Sequence, residues 1–499
     1  MAMDTNRGAP TAPIAFGGDA AEAGEHLTAA RVDIGGAVLD RLRGACPLVE
    51  DAATLAESSR DWWPLAMHWA RANEVGARAA VVARPASEDE VAAVLRICNE
   101  ARVPVTAAGG RSGVLGGTIP VHGGLVLDTT AMAGIRAVDP ASMLVDVLAG
   151  TFGDVFEDEL RDGHGMTCGH WPQSIALSTV GGWLACRGAG QLSGKYGKIE
   201  DIVTGLDVVL ADGGRIRTGG APRAAVGPDL TQLFVGSEGT LGVITGARLR
   251  IHSAPAHTAR AAFGFAAFAD GLDAMRRCVQ RGAHPAVFRL YDDTEAQRSY
   301  QTGELHVLLV LDEGDRLLVD AAMAIVAQEC ERAQRLGDDL VDRWMEHRND
   351  VSALEALVNR DIVVDTMEVA ASWSSLPALY DATRSAILGV EHVLVASAHQ
   401  SHSYPDGGCL YFTFAAQPPV DQKDECYQAM WDAGARAALQ HGAALSHHHG
   451  VGLNRSRFMR EALGEAFETL IATKRALDPN GILNPGKLGL PSPWGAVGW

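Results

Sequence analysis

Glycine-rich segments that follow short apolar runs constrain the fold of this chain more than any other feature of its sequence. The first, at 107–117, comes after the apolar run 103–106 and contains two adjacent glycines. Two more lie at 171–183 and 236–245. Glycine allows the backbone N–H groups of a loop to turn inward and to approach a phosphate closely. The three segments therefore predict a nucleotide cradle, while each of them alone also fits an ordinary surface turn.

The glycine segments do not match the two commonest nucleotide-binding motifs. No Gly-Lys-Ser or Gly-Lys-Thr follows the loop at 107–117, so it is not a Walker motif. The nearest approach to GxGxxG, at 188–194, has the wrong last spacing. Within the first loop, Arg111 can neutralise negative charge and Ser112 can donate its hydroxyl. The sequence thus predicts a phosphate-binding loop without a nicotinamide Rossmann domain.

The chain is predicted to divide into four parts, because 499 residues exceed what one hydrophobic core usually organises. Residues 1–74 form a polar tail and an Ala-rich helical segment in this prediction. Residues 75–255 combine short strands with the glycine clusters. Residues 256–445 alternate helical stretches with strands, which is typical of an α+β domain on an antiparallel sheet. The segment 446–499 is expected to return to the domain at 75–255.

Charge and composition narrow the classes of partner. The net charge of −19 disfavours nucleic acid, which needs a basic footprint. No run of about 18 uncharged apolar residues is present, so no membrane span is predicted. The eight cysteines are scattered without a CxxC pair and no secretory pattern is visible, which together favour a cytoplasmic protein with reduced thiols. The expected partner is a small-molecule substrate, and the Ala-rich helical faces are compatible with a homodimer.

In their order along the chain, the motifs GGRSG, PQSIALSTVGGW and GSEGTLGVIT resemble the FAD domain of the vanillyl-alcohol oxidase/p-cresol methylhydroxylase superfamily. The motifs span about 75–250, and the closing DPNGILNPGKL is similar to the C-terminal return of that superfamily. The resemblance implies an α+β protein. A two-subdomain FAD-binding PCMH-type domain would be joined to an antiparallel-sheet substrate (cap) domain.

The same resemblance implies which residues hold FAD. The pyrophosphate would lie on Ala108, Gly109, Gly110, Arg111, Ser112 and Gly113. The flavin would contact Pro172, Ser174, Ser178, Thr179, Gly181 and Gly182, and the adenosine side would contact Glu238, Gly239, Gly242, Val243 and Ile244. Some relatives attach the flavin through a histidine in the first loop, where this chain has Val114 and Leu115. FAD is therefore predicted to be non-covalent, with a histidine tether from the C-terminal domain left open.

A run of three histidines stands in SHHHGVG at 446–452. Imidazoles transfer protons near neutral pH, and in an extended segment His447 and His449 would face one way and His448 the other. A metal site, a solvated loop and the acid/base wall of a flavin pocket all fit this run. Contiguous histidines rarely bind one ion well without a carboxylate, so no metal is predicted. Tyr404 precedes a Pro-Asp-Gly-Gly turn, where its phenol either meets a ligand or packs as an ordinary strand aromatic.

Together, YPDGGCLYFTF at 404–414 and SHHHGVG resemble the alkyldihydroxyacetonephosphate synthase family, and the likeness spans about 75–485. It implies Tyr404 as the catalytic tyrosine beside His447, His448 and His449, with Arg360 and Arg289 as active-site arginines. The implied reaction, a step of ether lipid synthesis, exchanges or oxidises at a small phosphate-bearing substrate over flavin N5.

A rival branch of the superfamily remains open. Where the synthases place Lys and Arg after SHHHGVG, this chain has Leu453 and Asn454, which puts the phosphate in question. Flavin D-2-hydroxy-acid dehydrogenases bind a divalent metal through two histidines and a glutamate, and here Tyr411 and His448 replace two of those ligands. A metal-dependent hydroxy-acid site is therefore disfavoured. The alternative function is an FAD-dependent oxidase or dehydrogenase of an alcohol or hydroxy acid.

Overall fold

Three larger β-sheets carry the architecture of the computed structural model, which describes residues 7–499. The first six residues of the predicted polar tail lie outside the described part of the chain. In chain order the strands are β1 (Gly24–Glu25), β2 (Leu48–Val49), β3 (Glu74–Val75), β4 (Val81–Ala83), β5 (Val105–Ala108), β6 (Leu125–Asp128), β7 (Ile135–Asp139), β8 (Leu144–Leu148), β9 (Met166–Thr167), β10 (Val203–Val209), β11 (Arg215–Arg217), β12 (Val243–Arg250), β13 (His252–Ser253), β14 (His257–Phe265), β15 (Val287–Tyr291), β16 (His306–Gly314), β17 (Gln334–Leu336), β18 (Val363–Ser372), β19 (Val393–Ser403) and β20 (Gly407–Ala416).

Helices connect and cover these sheets. In chain order they are α1 (Gly36–Arg43), α2 (Ala52–Ser58), α3 (Pro64–Arg71), α4 (Glu88–Ala101), α5 (Gly153–His164), α6 (Val180–Cys186), α7 (Ser193–Tyr196), α8 (Ile199–Ile202), α9 (Leu230–Phe234), α10 (Phe268–Gln280), α11 (Asp293–Tyr300), α12 (Arg316–Glu329), α13 (Asp339–His347), α14 (Ser352–Val358), α15 (Leu376–Leu388), α16 (Lys423–Gln440), α17 (Met459–Leu463) and α18 (Ala466–Leu477). Short 3-10 helices lie at Ala20–Glu22, Thr129–Ala131, Val420–Gln422 and Ser456–Phe458.

The first sheet, in the order β2-β4-β6-β5, presents the first glycine-rich loop at the end of a parallel strand. β4 and β5 both pair with β6 in parallel, and β2 joins the edge antiparallel. α4 connects β4 to β5, and Ser87 caps it by accepting the Glu90 N–H. Ligands of open sheets usually bind beyond the carboxyl ends of parallel strands, which is where the loop leaves β5.

The second sheet is antiparallel, in the order β11-β10-β12-β8-β7. The third glycine segment leads into β12, which pairs in the centre of the sheet with β10 and β8. A separate hydrophobic cluster beneath it contains Phe156, Trp183 and Leu206. The two sheets thus have their own cores, as expected for a domain made of two subdomains.

The third sheet has seven antiparallel strands in the order β17-β14-β16-β15-β19-β20-β18. Its register places Glu368, Tyr411 and His399 directly opposite one another on β18, β20 and β19. Directly opposed residues project from the same face of a sheet. The alternate residues Phe412 and Phe414 are fully buried with helices α10, α15 and α16. The predicted α+β fold class, with an antiparallel sheet in the second half, is confirmed.

The C-terminal segment returns to the first sheet. The N–H of Val105 donates to the carbonyl of Ile482 and the N–H of Asn484 donates to the carbonyl of Val105, each at 2.8 Å. Gly452 has a φ of +55°, and a Cβ there would lie 2.3 Å from the carbonyl oxygen of Leu115. Only glycine tolerates that contact and that backbone angle. The histidine motif is thereby held directly against the first glycine-rich loop.

Two sequence predictions about the whole chain concern membranes and thiols. Among the helices of residues 7–499, none combines the length and hydropathy needed to cross a bilayer. All eight cysteines are free, and Cys186 alone among them is half-buried rather than buried. The thiols therefore contribute to the interior as small apolar side chains.

Candidate active site

A cavity of about 870 Å³ lies between the glycine-rich loops and the seven-stranded sheet. Its volume falls within the range of cofactor and substrate sites. One wall comes from the segments 107–118, 172–191 and 238–244. The facing wall carries side chains of β15, β19 and β20 and of the segment 343–357. The cavity therefore sets the predicted cofactor cradle against the predicted substrate domain.

Every residue that the sequence predicted at the cofactor lines this cavity. They are Ala108, Gly109, Gly110, Arg111, Ser112, Gly113, Pro172, Ser174, Ser178, Thr179, Gly181, Gly182, Glu238, Gly239, Gly242, Val243 and Ile244. The first loop packs on the second so closely that a Cβ on Gly110 would lie 2.0 Å from the carbonyl oxygen of Leu177. The structure thus brings together three segments that are distant in sequence, and their individual roles stay predictions.

Buried polar atoms around the cradle show what kind of ligand it suits. Arg111 Nη1 and Thr118 Oγ1 belong to residues that line the cavity, and both atoms are buried without a hydrogen-bond partner in the protein. Buried donors are nearly always satisfied, so these two are available to a ligand. Burial lowers the pKa of Arg111 and Asp128 offsets part of that effect. A cation and a hydroxyl donor beside glycine backbone fit the diphosphate of FAD.

The carboxylate of Glu238 binds the backbone of the histidine motif. It accepts the N–H groups of Val451 and Gly452 at 2.5 and 2.8 Å, and burial raises its pKa. Asn484 donates to the backbone carbonyl of Glu238 at 2.7 Å. The carboxylate of Glu238 therefore ties the histidine motif to the cradle, while its contact with the cofactor stays a prediction.

Tyr404, His447 and His448 form a chain of hydrogen bonds. The Tyr404 hydroxyl lies 2.8 Å from His447 Nε2, and His447 Nδ1 lies 2.8 Å from His448 Nδ1. Burial raises the pKa of Tyr404 and lowers the pKa values of both imidazoles well below their usual range. All three groups are therefore neutral at pH 7, as a chain that passes protons in either direction requires.

The three histidine side chains do not point in alternating directions, as they would in an extended segment. His448 and His449 both line the cavity, whereas His447 and Tyr404 do not and lie behind His448. The expectation that His447 and His449 share a face is wrong, because the segment is a bend rather than a strand. Tyr404 consequently reaches the cavity through the two imidazoles.

His402, which was not predicted as a site residue from the sequence, lies against the chain of Tyr404, His447 and His448. It lies 2.6 Å from the Ser193 hydroxyl and stacks on His447, with ring centroids 4.8 Å apart. Nitrogen atoms of His402, His447 and His448 lie within 4.8 Å of one another, a spacing that could hold a metal ion. Those nitrogens already bond to one another, to Ser193 and to Tyr404. The absence of a metal therefore stays a prediction.

Arg289 meets the cavity where the sequence placed it. Its Nη2 lies 2.6 Å from His399 Nε2, and His399 Nδ1 lies 2.9 Å from Glu295 Oε2. Tyr411 stacks on His399 with centroids 4.8 Å apart. Burial, followed by Arg289, lowers the pKa of His399, so this imidazole is neutral. The four residues form one side of the cavity.

Arg360 does not reach the site, and this prediction is corrected. It lies exposed in the turn between α14 and β18 and does not line the cavity. Arg348, which precedes α14, takes that place: it lines the cavity, contacts the Gln191 side chain at 3.3 Å and lies over Trp171 at 4.8 Å. Burial lowers its pKa to about 10, so it stays charged at neutral pH. The sequence signal that could have identified Arg348 is the segment WMEHR at 344–348, which combines aromatic and basic side chains.

Two known protein families match the two parts of the chain that form the walls of the cavity. Residues 79–219 match the family described as FAD binding domain, and residues 254–488 match FAD linked oxidases, C-terminal domain. The uncharacterized FAD-linked oxidoreductase YgcU of Escherichia coli O157:H7 is 30% identical over 430 residues, which cover 82% of this chain and 88% of the relative. The chain belongs to the FAD-linked oxidase family. Its FAD-binding domain indicates FAD as the cofactor.

Other members of the FAD-linked oxidase family differ in activity. Alkyldihydroxyacetonephosphate synthase of Dictyostelium discoideum is 28% identical over 446 residues, and mitochondrial D-lactate dehydrogenase (cytochrome) of Arabidopsis thaliana is 28% identical over 429; each alignment covers 82% of this chain and 73% of the relative. A solved alkyldihydroxyacetonephosphate synthase superposes with a TM-score of 0.75 at 24% identity, over 92% of this chain and 86% of the other. p-Cresol methylhydroxylase with substrate bound gives 0.73 at 17%, over 93% and 99%. The predicted superfamily and its PCMH-type fold are confirmed.

Proposed function

We propose that the chain is an FAD-dependent enzyme of the alkyldihydroxyacetonephosphate synthase type, acting on a small phosphate-bearing substrate. One observation carries the proposal: a neutral proton chain from Tyr404 meets the same cavity as Arg348, a half-buried arginine that forms no salt bridge among residues 7–499. The first supplies acid and base, and the second supplies recognition of an anion.

The anion-binding wall follows from the charges of the cavity. Arg348 is half-buried and forms no salt bridge among residues 7–499, and Glu313 and Glu157 act on its charge only at longer range. A buried charge is costly without a counter-ion, so a bound anion would stabilise this arrangement. Arg298 and Arg343 line the exposed mouth. In a protein of net charge −19, these arginines create a local field that attracts an anionic substrate.

A second part of the cavity is apolar. Trp62, Leu177, Val351, Leu354 and Leu357 all line it. Apolar walls with a few placed polar groups are typical of sites that bind organic ligands. This surface suits the hydrocarbon chain of an acyl group or of a long-chain alcohol. The substrate class that fits both parts is therefore an amphiphile with an anionic head.

The cofactor would be held by the glycine-rich loops, with the diphosphate at Arg111 and Thr118. FAD, when bound, supplies an electron-accepting ring at which a substituent is exchanged or a hydride is accepted. We propose non-covalent attachment, since Val114 and Leu115 stand where a tethering histidine would be. Acid precipitation of the purified protein should leave the flavin in the supernatant. Flavin that remains with the pellet would contradict this attachment.

The protein's own contribution to the chemistry is proton transfer. With the Tyr404 hydroxyl donating to His447 Nε2 and His447 Nδ1–H donating to His448 Nδ1, a proton is left on His448 Nε2 for delivery to the substrate. In the reversed arrangement, His448 Nε2 accepts a proton from the substrate and the Tyr404 oxygen accepts from His447. Arg289 and Arg348 hold the anionic head, so that the reacting carbon stays beside His448.

Oxidation of a 2-hydroxy acid is the second candidate, as the name of the D-lactate dehydrogenase relative describes. It is favoured by the contact of Arg289 with the neutral His399, because such a pair can bind a carboxylate and accept a hydroxyl proton. In that case His399 would be the base, and Tyr404 would matter less.

One pair of incubations separates the two candidates. The holoenzyme is mixed with an acyl dihydroxyacetone phosphate and a long-chain alcohol, and separately with D-lactate. The proposal expects alkyl product and free fatty acid in the first mixture without loss of flavin absorbance at about 450 nm, where oxidised flavins absorb. Bleaching by D-lactate, with no alkyl product in the first mixture, would favour the oxidation and refute the proposal.

A further inference from the structure

A fully buried carboxylate on β18, Glu368, gathers the histidine run around itself. Its Oε1 accepts the N–H groups of His447, His448 and His449 at 3.2, 3.1 and 2.8 Å and the Ser446 hydroxyl at 2.6 Å. Successive N–H groups that converge on one anion form a backbone nest. The main chain therefore curls around this oxygen instead of running on as a strand.

The carboxylate is ionised in spite of its burial. Burial raises the pKa of Glu368, but Arg455 and the neighbouring histidines lower it well below its usual range. Arg455 is itself fully buried; its Nη1 donates to Oε1 at 3.1 Å and its Nη2 donates to Oε2. His449 Nδ1 lies 2.9 Å from Oε2, out of line for a hydrogen bond. The negative charge that organises the loop is thus permanent at neutral pH.

The nest also fixes where the imidazoles lie. Because the three histidine N–H groups are bound to one oxygen, the side chains of His447 and His448 leave the backbone at set angles. In this arrangement His447 bridges Tyr404 and His448, each contact being 2.8 Å. Small movements of the loop would break both contacts, since hydrogen bonds weaken steeply with distance and angle.

We propose that Glu368 is the positioning residue of the active site, which holds the histidine loop in its proton-transferring conformation. The inference rests on the proposed function for its consequence in turnover. The conformation itself is measurable without any substrate. Glu368 lies outside the cavity and acts through the loop.

The chain offers a matched control in Glu157 on α5. This glutamate is also buried, accepts a backbone N–H from Cys168 at 3.1 Å and pairs with Arg161 at 2.7 Å. It makes none of its hydrogen bonds to the histidine loop. Glu157→Gln therefore removes the same charge as Glu368→Gln, from a glutamate that is also buried and also paired with an arginine. This substitution should not affect the histidine loop.

The test compares hydrogen exchange in the holoenzyme and in the Glu368→Gln, Ser446→Ala and Glu157→Gln variants. The first two should exchange the amides of His447, His448 and His449 about fivefold faster or more, the worth of one net hydrogen bond. Glu157→Gln should accelerate Cys168 instead. Ser446→Ala removes one hydroxyl donor and leaves the buried ion pair intact, so it carries the test if Glu368→Gln does not fold.

Turnover then separates this inference from the proposed function. With acyl dihydroxyacetone phosphate and a long-chain alcohol, Glu368→Gln and Ser446→Ala should lower kcat at least fivefold with KM within twofold. Faster exchange with unchanged kcat would support the positioning of the loop and refute the proton chain. Unchanged exchange at the three histidines in both variants would overturn the inference whatever the turnover.

Discussion

Arg348→Ala is the substitution that tests the substrate site most directly. The guanidinium lines the cavity, carries its charge at neutral pH and has no carboxylate partner among the described residues. Its removal breaks no salt bridge, and the contacts that are lost include the 3.3 Å contact with Gln191 and the packing over Trp171 at 4.8 Å. The variant should therefore fold and bind flavin like the parent, with a melting temperature that is unchanged or slightly higher because a desolvated charge is gone.

The expected loss is in substrate binding. A hydrogen bond to a charged group contributes about 1.5–3 kcal/mol, and each 1.4 kcal/mol is about a tenfold change in affinity. Arg348→Ala should therefore raise KM for the phosphate-bearing substrate by about 10- to 150-fold. It should weaken inhibition by inorganic phosphate by a similar factor. Because Arg348 does not belong to the proton chain, kcat at saturation should fall much less than KM rises.

The matched control is Arg360→Ala. Arg360 lies twelve positions later, exposed at the end of α14 and away from the cavity. Steady-state kinetics of both variants, with flavin content and melting temperature measured alongside, decide the question. A KM for Arg348→Ala within twofold of the parent value, or an equal rise for Arg360→Ala, would refute the assignment of the anion site.

Three further predictions concern the proton chain, the cradle and pH. Tyr404→Phe should lower kcat by about 10²- to 10⁴-fold while flavin content is kept, and full activity would exclude Tyr404 from the chemistry. Gly110→Ala should abolish flavin binding, measured by absorbance, because the new Cβ meets backbone at 2.0 Å, whereas Gly163→Ala, with open space around it, should keep it. Burial lowers the pKa of His68 from 6.5 to about 4, so the unfolded chain takes up a proton that the folded chain refuses. The contribution of His68 to the free energy of unfolding should therefore fall by about 1.4 kcal/mol at most per pH unit as pH drops from 6.5 towards 4, and urea titrations in which His68→Asn shows the same slope as the parent would contradict this origin.

The cradle could be predicted from sequence because its determinants are local. A glycine pair after a strand sets the backbone of its own loop, and the order of the three segments identified the superfamily. What the sequence could not supply was the packing of one loop on another, such as the contact of Gly110 with Leu177. It also could not show that the carboxylate of Glu238 accepts two backbone N–H groups of the histidine motif.

The facing wall was predictable only in part, because its determinants are distant in sequence. Tyr404 and the histidine run were found by their motifs, but the alternation rule for strands failed. Glu368, 80 residues before His448, bends that segment into a nest. Arg360 and Arg348 stand on either side of one short helix, so only the placement of α14 decides which of them meets the cavity.

The return of the chain to β5 also bears on when the cradle can be completed during synthesis. The backbone beside Val105 comes from Ile482 and Asn484, and the motif at 446–452 rests on Leu115. Both supports are synthesised long after the loop that they hold. We therefore expect flavin binding to require both of them, so that a truncation removing the chain from Ile482 onward should yield colourless protein.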